Sequence, residues 1–249
     1  MLPLFKSHYS IGKSILTLNE PGETDSESAD SIFDLLINNK INDLTLVENS
    51  PTGFLQAQKV SDFSGINFVF GLIFNMQCSL DSKDDEHKII VFARSKEGCN
   101  KLNLLYSDTH CNNQGVCTND LISQHWSDKH LLLAIPFYDS FLYKNNFSFS
   151  TCMPNFDFAK PIFFIENNNL PIDNLLEDSV NQYCSNHSLQ TLKTKTILYN
   201  KKSDVEAFQT YKCICNRNFS RQSTLSNPNL SGFGSSDFSF ESYLSEIQS

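Results

Sequence analysis

The stretch DLTLVENSPTGFLQAQKVSDFSGINFVF, residues 43–70, changes period twice, and those changes decide the fold. Asp43 to Val47 alternates and then runs apolar, as a buried strand does, and Pro51 with Gly53 punctuates its end. A helical run from Phe54 to Phe63 follows. From Ile66 to Phe74 a continuous β-branched and aromatic run reads as a second strand. Strand, helix and strand in immediate succession predict a parallel βαβ unit.

The same alternation extends outward in both directions. Upstream, Ser28 to Lys40 places Ile32, Phe33, Leu35, Leu36 and Ile37 on one broad helical stripe after an acidic, Ser-rich lead-in that suits a helix N-terminus. Downstream, His87 to Ala93 reads as a strand and Lys96 to Tyr106 as a helix carrying Leu102, Leu104 and Leu105. Leu131 to Phe137 and Pro161 to Ile165 read as strands, Ile172 to Tyr183 as a helix, Thr194 to Tyr199 as a strand and Asp204 to Ile214 as a helix. His110 to Gln124 is polar and irregular, and predicts a long loop or insertion. The fold class is therefore α/β with parallel βαβ units.

A chain of 249 residues exceeds the usual single domain of ~100–150, but one closed α/β barrel needs about this much. Residues 1–215 are expected to form that barrel. Residues 216–249 begin with a Ser-, Asn- and Gly-rich segment that implies a polar surface tail. Phe238, Phe240, Tyr243, Leu244 and Ile247 at its end predict a short amphipathic helix, the best strip for docking a partner.

Composition narrows the function. The 21 Phe supply ample core, and the formal charge of -9 argues against a free-standing protein that grips nucleic-acid phosphates, while leaving room for a local basic patch. The longest apolar stretches, Ile66–Phe74 and Leu131–Phe137, fall far short of the ~20 residues that span a bilayer, so no membrane association and a cytoplasmic location are expected. The eight cysteines are scattered, as reduced thiols packed like small hydrophobes would be.

Several short pieces, taken in order, carry a resemblance: Ser7-His8-Tyr9-Ser10; Leu44-Thr45-Leu46-Val47-Glu48-Asn49 followed by Gly53; Gly65-Ile66-Asn67-Phe68-Val69-Phe70-Gly71; His87-Lys88-Ile89-Ile90-Val91-Phe92-Ala93 with Glu97-Gly98-Cys99-Asn100-Lys101-Leu102; and Tyr199 with Asp204, Glu206 and Ala207 ahead of Cys213-Ile214. Over roughly residues 1 to 245 the chain resembles the polymerase-and-histidinol-phosphatase (PHP) domain of bacterial DNA polymerase III α subunits. The resemblance implies a distorted (β/α)7 barrel. It also implies, in active relatives, a cluster of metal ions held by His, Asp and Glu at the C-terminal ends of the strands, where water is activated for phosphoester hydrolysis.

Position by position, the resemblance implies that those ligands are gone. The opening H-x-H falls at Leu4 and Lys6, a following acidic position at Lys13, and T-D-H at Val47-Glu48-Asn49. The glutamate after the third strand falls at Ile73, the late D-x-H at Thr196-Ile197-Leu198, and a further position at Phe137. Only Glu48 and His87 survive, too few for a multinuclear cluster. No cofactor and no metal are therefore expected, and Lys6 and Lys13 have two readings, pairing with Glu48 in place of a cation or reaching solvent.

The implied role is structural: a non-catalytic domain from a phage or other small genome that holds the remainder of a replicative polymerase, or a proofreading exonuclease, during DNA replication. The alternative is a metal-dependent phosphoesterase or 3′ to 5′ exonuclease rebuilt on Glu48, His87, His8 and His110. Other constellations carry less. Cys111 and Cys117, with His110, His125 and His130, lack the short spacing of a zinc knuckle, and Cys213-Ile214-Cys215 lacks that of a redox pair. The Phe-rich runs Phe137–Phe149 and Phe156–Phe164 are not interleaved with the basic residues that single-strand binding needs, so they read as core.

Overall fold

The computed structural model describes residues 1–23, 29–77, 86–148, 152–215 and 234–248. Side chains on a strand alternate between its two faces, so a closed sheet needs two apolar sets, one for its interior and one for the helices outside. Both sets are present. The strands are β1 (Leu2–Phe5), β2 (Asp43–Glu48), β3 (Asn67–Gln77), β4 (His87–Ala93), β5 (Val116–Thr118), β6 (Leu131–Ile135), β7 (Ile162–Ile165) and β8 (Gln190–Ile197). Seven of them, β1-β2-β3-β4-β6-β7-β8, pair in a ring that closes through β8 and β1.

Leu4, Val47, Ile90, Phe92, Ala134 and Phe164 point inward and fill the barrel. Their neighbours Phe5, Leu46, Val91, Leu133, Phe163 and Ile197 point outward into a larger apolar layer beneath the helices. Gly71 belongs to the interior geometry, since a Cβ there would sit 2.7 Å from the Phe92 ring. The absent side chain at Gly71 is what lets Phe92 occupy the lumen.

Among the described residues eight α-helices surround the sheet: α1 (Ile32–Asn38), α2 (Phe54–Ser64), α3 (Lys96–Cys111), α4 (Asn119–His125), α5 (Phe141–Phe147), α6 (Asp173–His187), α7 (Val205–Cys215) and α8 (Phe240–Gln248). Their starts are written locally. The hydroxyls of Ser31, Ser95, Thr118 and Ser140 each accept a backbone N–H of the helix that follows, and Gly65 ends α2 in the left-handed conformation.

Three expectations are corrected. The sheet is not uniformly parallel: β4 runs antiparallel to both β3 and β6. Only nine residues separate β3 from β4, fewer than a parallel crossover requires, so the chain returns directly. The region 110–124 is not a plain loop, because it holds β5, which extends the C-terminal half of β3, and most of α4. The partner strip is covered by the chain itself. Phe238, Phe240 and Tyr243 are buried, Leu244 packs beside them, and the Phe240 ring lies 5.9 Å from that of Phe5.

Residues 237–240 continue the edge of β8. The Leu198 N–H donates to Phe238 O and the Phe240 N–H to Tyr199 O, both at 2.9 Å. Lys195, fully buried, ties α8 down through an ion pair with Glu246 and a 2.8 Å hydrogen bond to the carbonyl of Asn167. Residues 216–233 of the expected tail, and Cys78, lie outside the described residues. No helix among the described residues is long and apolar enough to cross a membrane.

Candidate functional site

The inward-pointing residues stop short of the end where the parallel strands finish. Above them lies a cavity of about 480 Å³. Its floor is apolar, made by Leu4, Val47, Ile73, Ile90 and Phe164, and its rim carries Lys6, Lys13, Lys88, Lys212, Asp139 and Glu166.

Seven of the nine positions singled out in the sequence meet here: Leu4, Lys6, Lys13, Asn49, Ile73, Thr196 and Leu198 all line the cavity. They come from β1, β2, β3 and β8 and the connections after them, and the sheet alone brings them together. The other two positions lie elsewhere. Glu48 has the opposite facing from Val47 and Asn49, and is fully buried behind β2. Phe137 joins the outer core, while its neighbours Pro136 and Tyr138 line the cavity.

Glu48 is held by the turn after β1. The Ser7 N–H donates to its Oε1 at 2.8 Å and the Ser10 hydroxyl to its Oε2. Burial pushes its carboxyl above the usual range, and these hydrogen bonds with Lys6 pull the other way. Neither lysine makes an ion pair with it. Lys6 Nζ instead donates to Val47 O at 3.2 Å and to Asn49 Oδ1 at 3.3 Å. Lys13 is half-buried, faces the cavity and shares its field with Lys88 and Asp139. The pairing reading is thus replaced by a cation held against backbone and amide oxygens.

The cationic rim is costly. Burial lowers the Lys6 ammonium to about 8, with Lys88 and Lys13 adding to the effect and Glu48 and Asp139 opposing it. Burial likewise lowers Lys212 to about 8. Asp139 is the counterweight. Burial would raise its carboxyl, but the ion pair with Lys88 and the fields of Lys13 and Lys144 hold it below its ordinary range. It sits in the left-handed region at φ 62°, tolerable for Asp, and its carbonyl accepts the Lys88 N–H at 3.0 Å. Glu166 is spoken for by its own wall: it accepts the Thr196 N–H at 3.0 Å, Thr196 Oγ1 at 2.7 Å and Asn168 Nδ2 at 3.1 Å, and burial raises its carboxyl.

This donor set does not fit a metal cluster. Aliphatic side chains stand at Leu4, Ile73 and Leu198, ammonium groups at Lys6 and Lys13, and among the described residues no group of three or more His, Cys, Asp or Glu converges. The histidines of the alternative site are dispersed. His87 is buried with Cys152 Sγ 3.5 Å from its Nδ1, His8 packs on Tyr9, and His110 packs on Tyr106. His125 and His130 are engaged with Asp108 and Ser95, and Cys117 is buried.

Lys88, Asp139, Glu166 and Lys212 were not singled out in the sequence. A signal existed for three of them. Lys88 interrupts an otherwise apolar inward register with Ile90 and Phe92, Glu166 follows directly on the buried strand β7, and Lys212 follows the buried Phe208 by one helical turn. Compared with protein-family models and with curated proteins, the chain matches none.

Proposed function

We propose that this chain is a non-catalytic PHP-like domain of a bacterial-type replication apparatus, a scaffold that holds a polymerase body or a proofreading exonuclease. One observation carries the reading. Seven positions chosen only by collinear resemblance converge on a single cavity at the strand ends, where a hydrolase of this kind would hold its metals, and there five are aliphatic or cationic and two, Asn49 and Thr196, are neutral polar groups. The antiparallel β4 fits a distorted barrel better than a regular one. The partner would use side chains that remain accessible, such as Leu55 and Phe63 on α2, both more than three-quarters exposed.

Two measurements test it. Purified chain incubated with manganese or zinc and either a chromogenic phosphoester or single-stranded DNA is expected to show no turnover, and turnover lost in His87→Ala would favour the exonuclease reading instead. Tagged chain in its native host is expected to capture polymerase or exonuclease subunits, and to lose them when Leu55→Asp and Phe63→Asp are combined. Capture of no replication protein would sink the scaffold.

A further inference from the structure

We propose that the opposite mouth of the barrel, where the parallel strands begin, binds a long-chain fatty carboxylate, its alkyl chain inserted among inward-facing side chains and its head group held by Arg94 and Lys96. The site lies at the far end of the barrel from the cavity described above and owes nothing to the family resemblance. A second cavity of about 940 Å³ opens there. Strand alternation brings Leu2, Val69, Phe92, Leu132, Ile162 and Leu192 to it, each from a different strand of the ring. Their exposure is graded: Val69 and Leu192 are 42% and 39% exposed, Leu132 and Ile162 are half-buried, and Phe92 is buried. The Phe164 ring, 6.2 Å from that of Phe92, lines both cavities and stands between them.

On one side the opening continues as a groove. Because the chain returns directly from β3 to β4, no helix crosses the barrel between them, and α2 and α3 flank a gap above the rings of Phe68 and Phe70. An apolar pit with a closed end takes a single inserted chain rather than the flat face of a protein, and its size lies near the top of the ~300–1,000 Å³ range of small-molecule sites. The rim sets the head group. The charged side chains that line the cavity are Arg94, Lys96 and Asp62, two cations against one anion. A monocarboxylate balances the excess of one, which a neutral lipid would leave and a phosphate dianion would reverse. Asp62 accepts Gln58 Nε2 of its own helix at 2.8 Å, whereas Arg94 and Lys96 stand together at the start of α3, whose N-terminal dipole adds to their field. One Arg94 nitrogen donates to Asp128 O at 3.4 Å, and the planar fork has further donors for a carboxylate.

Titration calorimetry of the full chain with octanoate, decanoate and dodecanoate, kept below micelle formation, and with decanol decides the matter. Affinity is expected to rise roughly tenfold for each pair of added carbons, because each methylene leaves water for the apolar pit. Decanol is expected to bind at least roughly tenfold more weakly than decanoate, and Arg94→Gln combined with Lys96→Gln to bring decanoate down to the level of decanol. Cys99 gives a readout that needs no variant to fold. Its half-buried thiol lines the groove, whereas Cys111 at the other end of α3 is exposed. Decanoate at about ten times its Kd is expected to slow iodoacetamide labelling of Cys99 roughly tenfold in the wild-type chain and to leave Cys111 unchanged. No heat and no protection of Cys99 with dodecanoate at about 1 mM overturns the proposal. Affinity indifferent to chain length, decanol binding as tightly as decanoate, or heat with Cys99 left unprotected overturns it as well. Shielding of Cys99 by self-association, seen as a dimer in sedimentation without any acid, gives the mouth to a second copy instead. Capture of replication proteins through Leu55 and Phe63 neither requires nor excludes this ligand, so the site and the scaffold can fail separately.

Discussion

Lys6 shows how one residue can be retained at a cost. Its value is near 8 in the folded chain against an ordinary 10.5, so between those limits the unfolded chain binds more protons and stability rises with pH. Glu48, Lys88, Lys13 and Asp139 set that value from the surrounding walls, and burial sets most of it. Unfolding by denaturant is therefore expected to show midpoints climbing from pH 8 toward 9.0, above which the buried thiols of Cys117 and Cys184, raised to about 12 and about 11, begin to tilt the slope back. Lys6→Met should stabilise the chain by about 1 kcal/mol at pH 7 and flatten that climb. Glu48 is the opposite case. Glu48→Ala would orphan the buried Ser7 N–H and free the Ser10 hydroxyl, for an expected loss of about 2–3 kcal/mol in the same assay.

At the scale of elements, Gly71 and Phe240 mark where packing is least forgiving. Gly71→Ala pushes a methyl into the Phe92 ring and is expected to cost about 1–3 kcal/mol, whereas Phe240→Ala empties the contact with Phe5 and Tyr243 and is expected to cost about 3–5 kcal/mol, both read from chemical denaturation. The long elements were legible in the sequence because each has several periods or a continuous apolar run: β4 is found where His87–Ala93 predicted it, and α2 and α7 fall within a residue of their expected bounds at each end. What escaped was short. β1 has four residues including Pro3 and β5 has three, too few to display a period, while α4 and α5, no longer than α1, are interrupted by polar residues and lack its apolar stripe. The direction of β4 escaped for a different reason, since strand periodicity carries no polarity and only the brevity of the link from β3 does. The site was half legible. Resemblance located the positions that line the cavity, but Lys88, Glu166 and Lys212 enter it through strand facing and helix register, which a single sequence reveals only after the barrel is known.

For the molecule as a whole, manganese or zinc is expected to leave the melting midpoint where it is, because a tight ligand of the native state would raise it by mass action and this rim offers cations no purchase. The closing features of the barrel also have a consequence for how the chain is made. β1 leaves the ribosome before the other strands, yet its strand partners are β2 and β8, and the ring of Phe5 is covered by Phe240, more than 230 residues later. A nascent chain stalled anywhere before residue 240 keeps β1 uncovered, so growth proceeds with an unsealed seam that a chaperone can occupy until α8 emerges and docks.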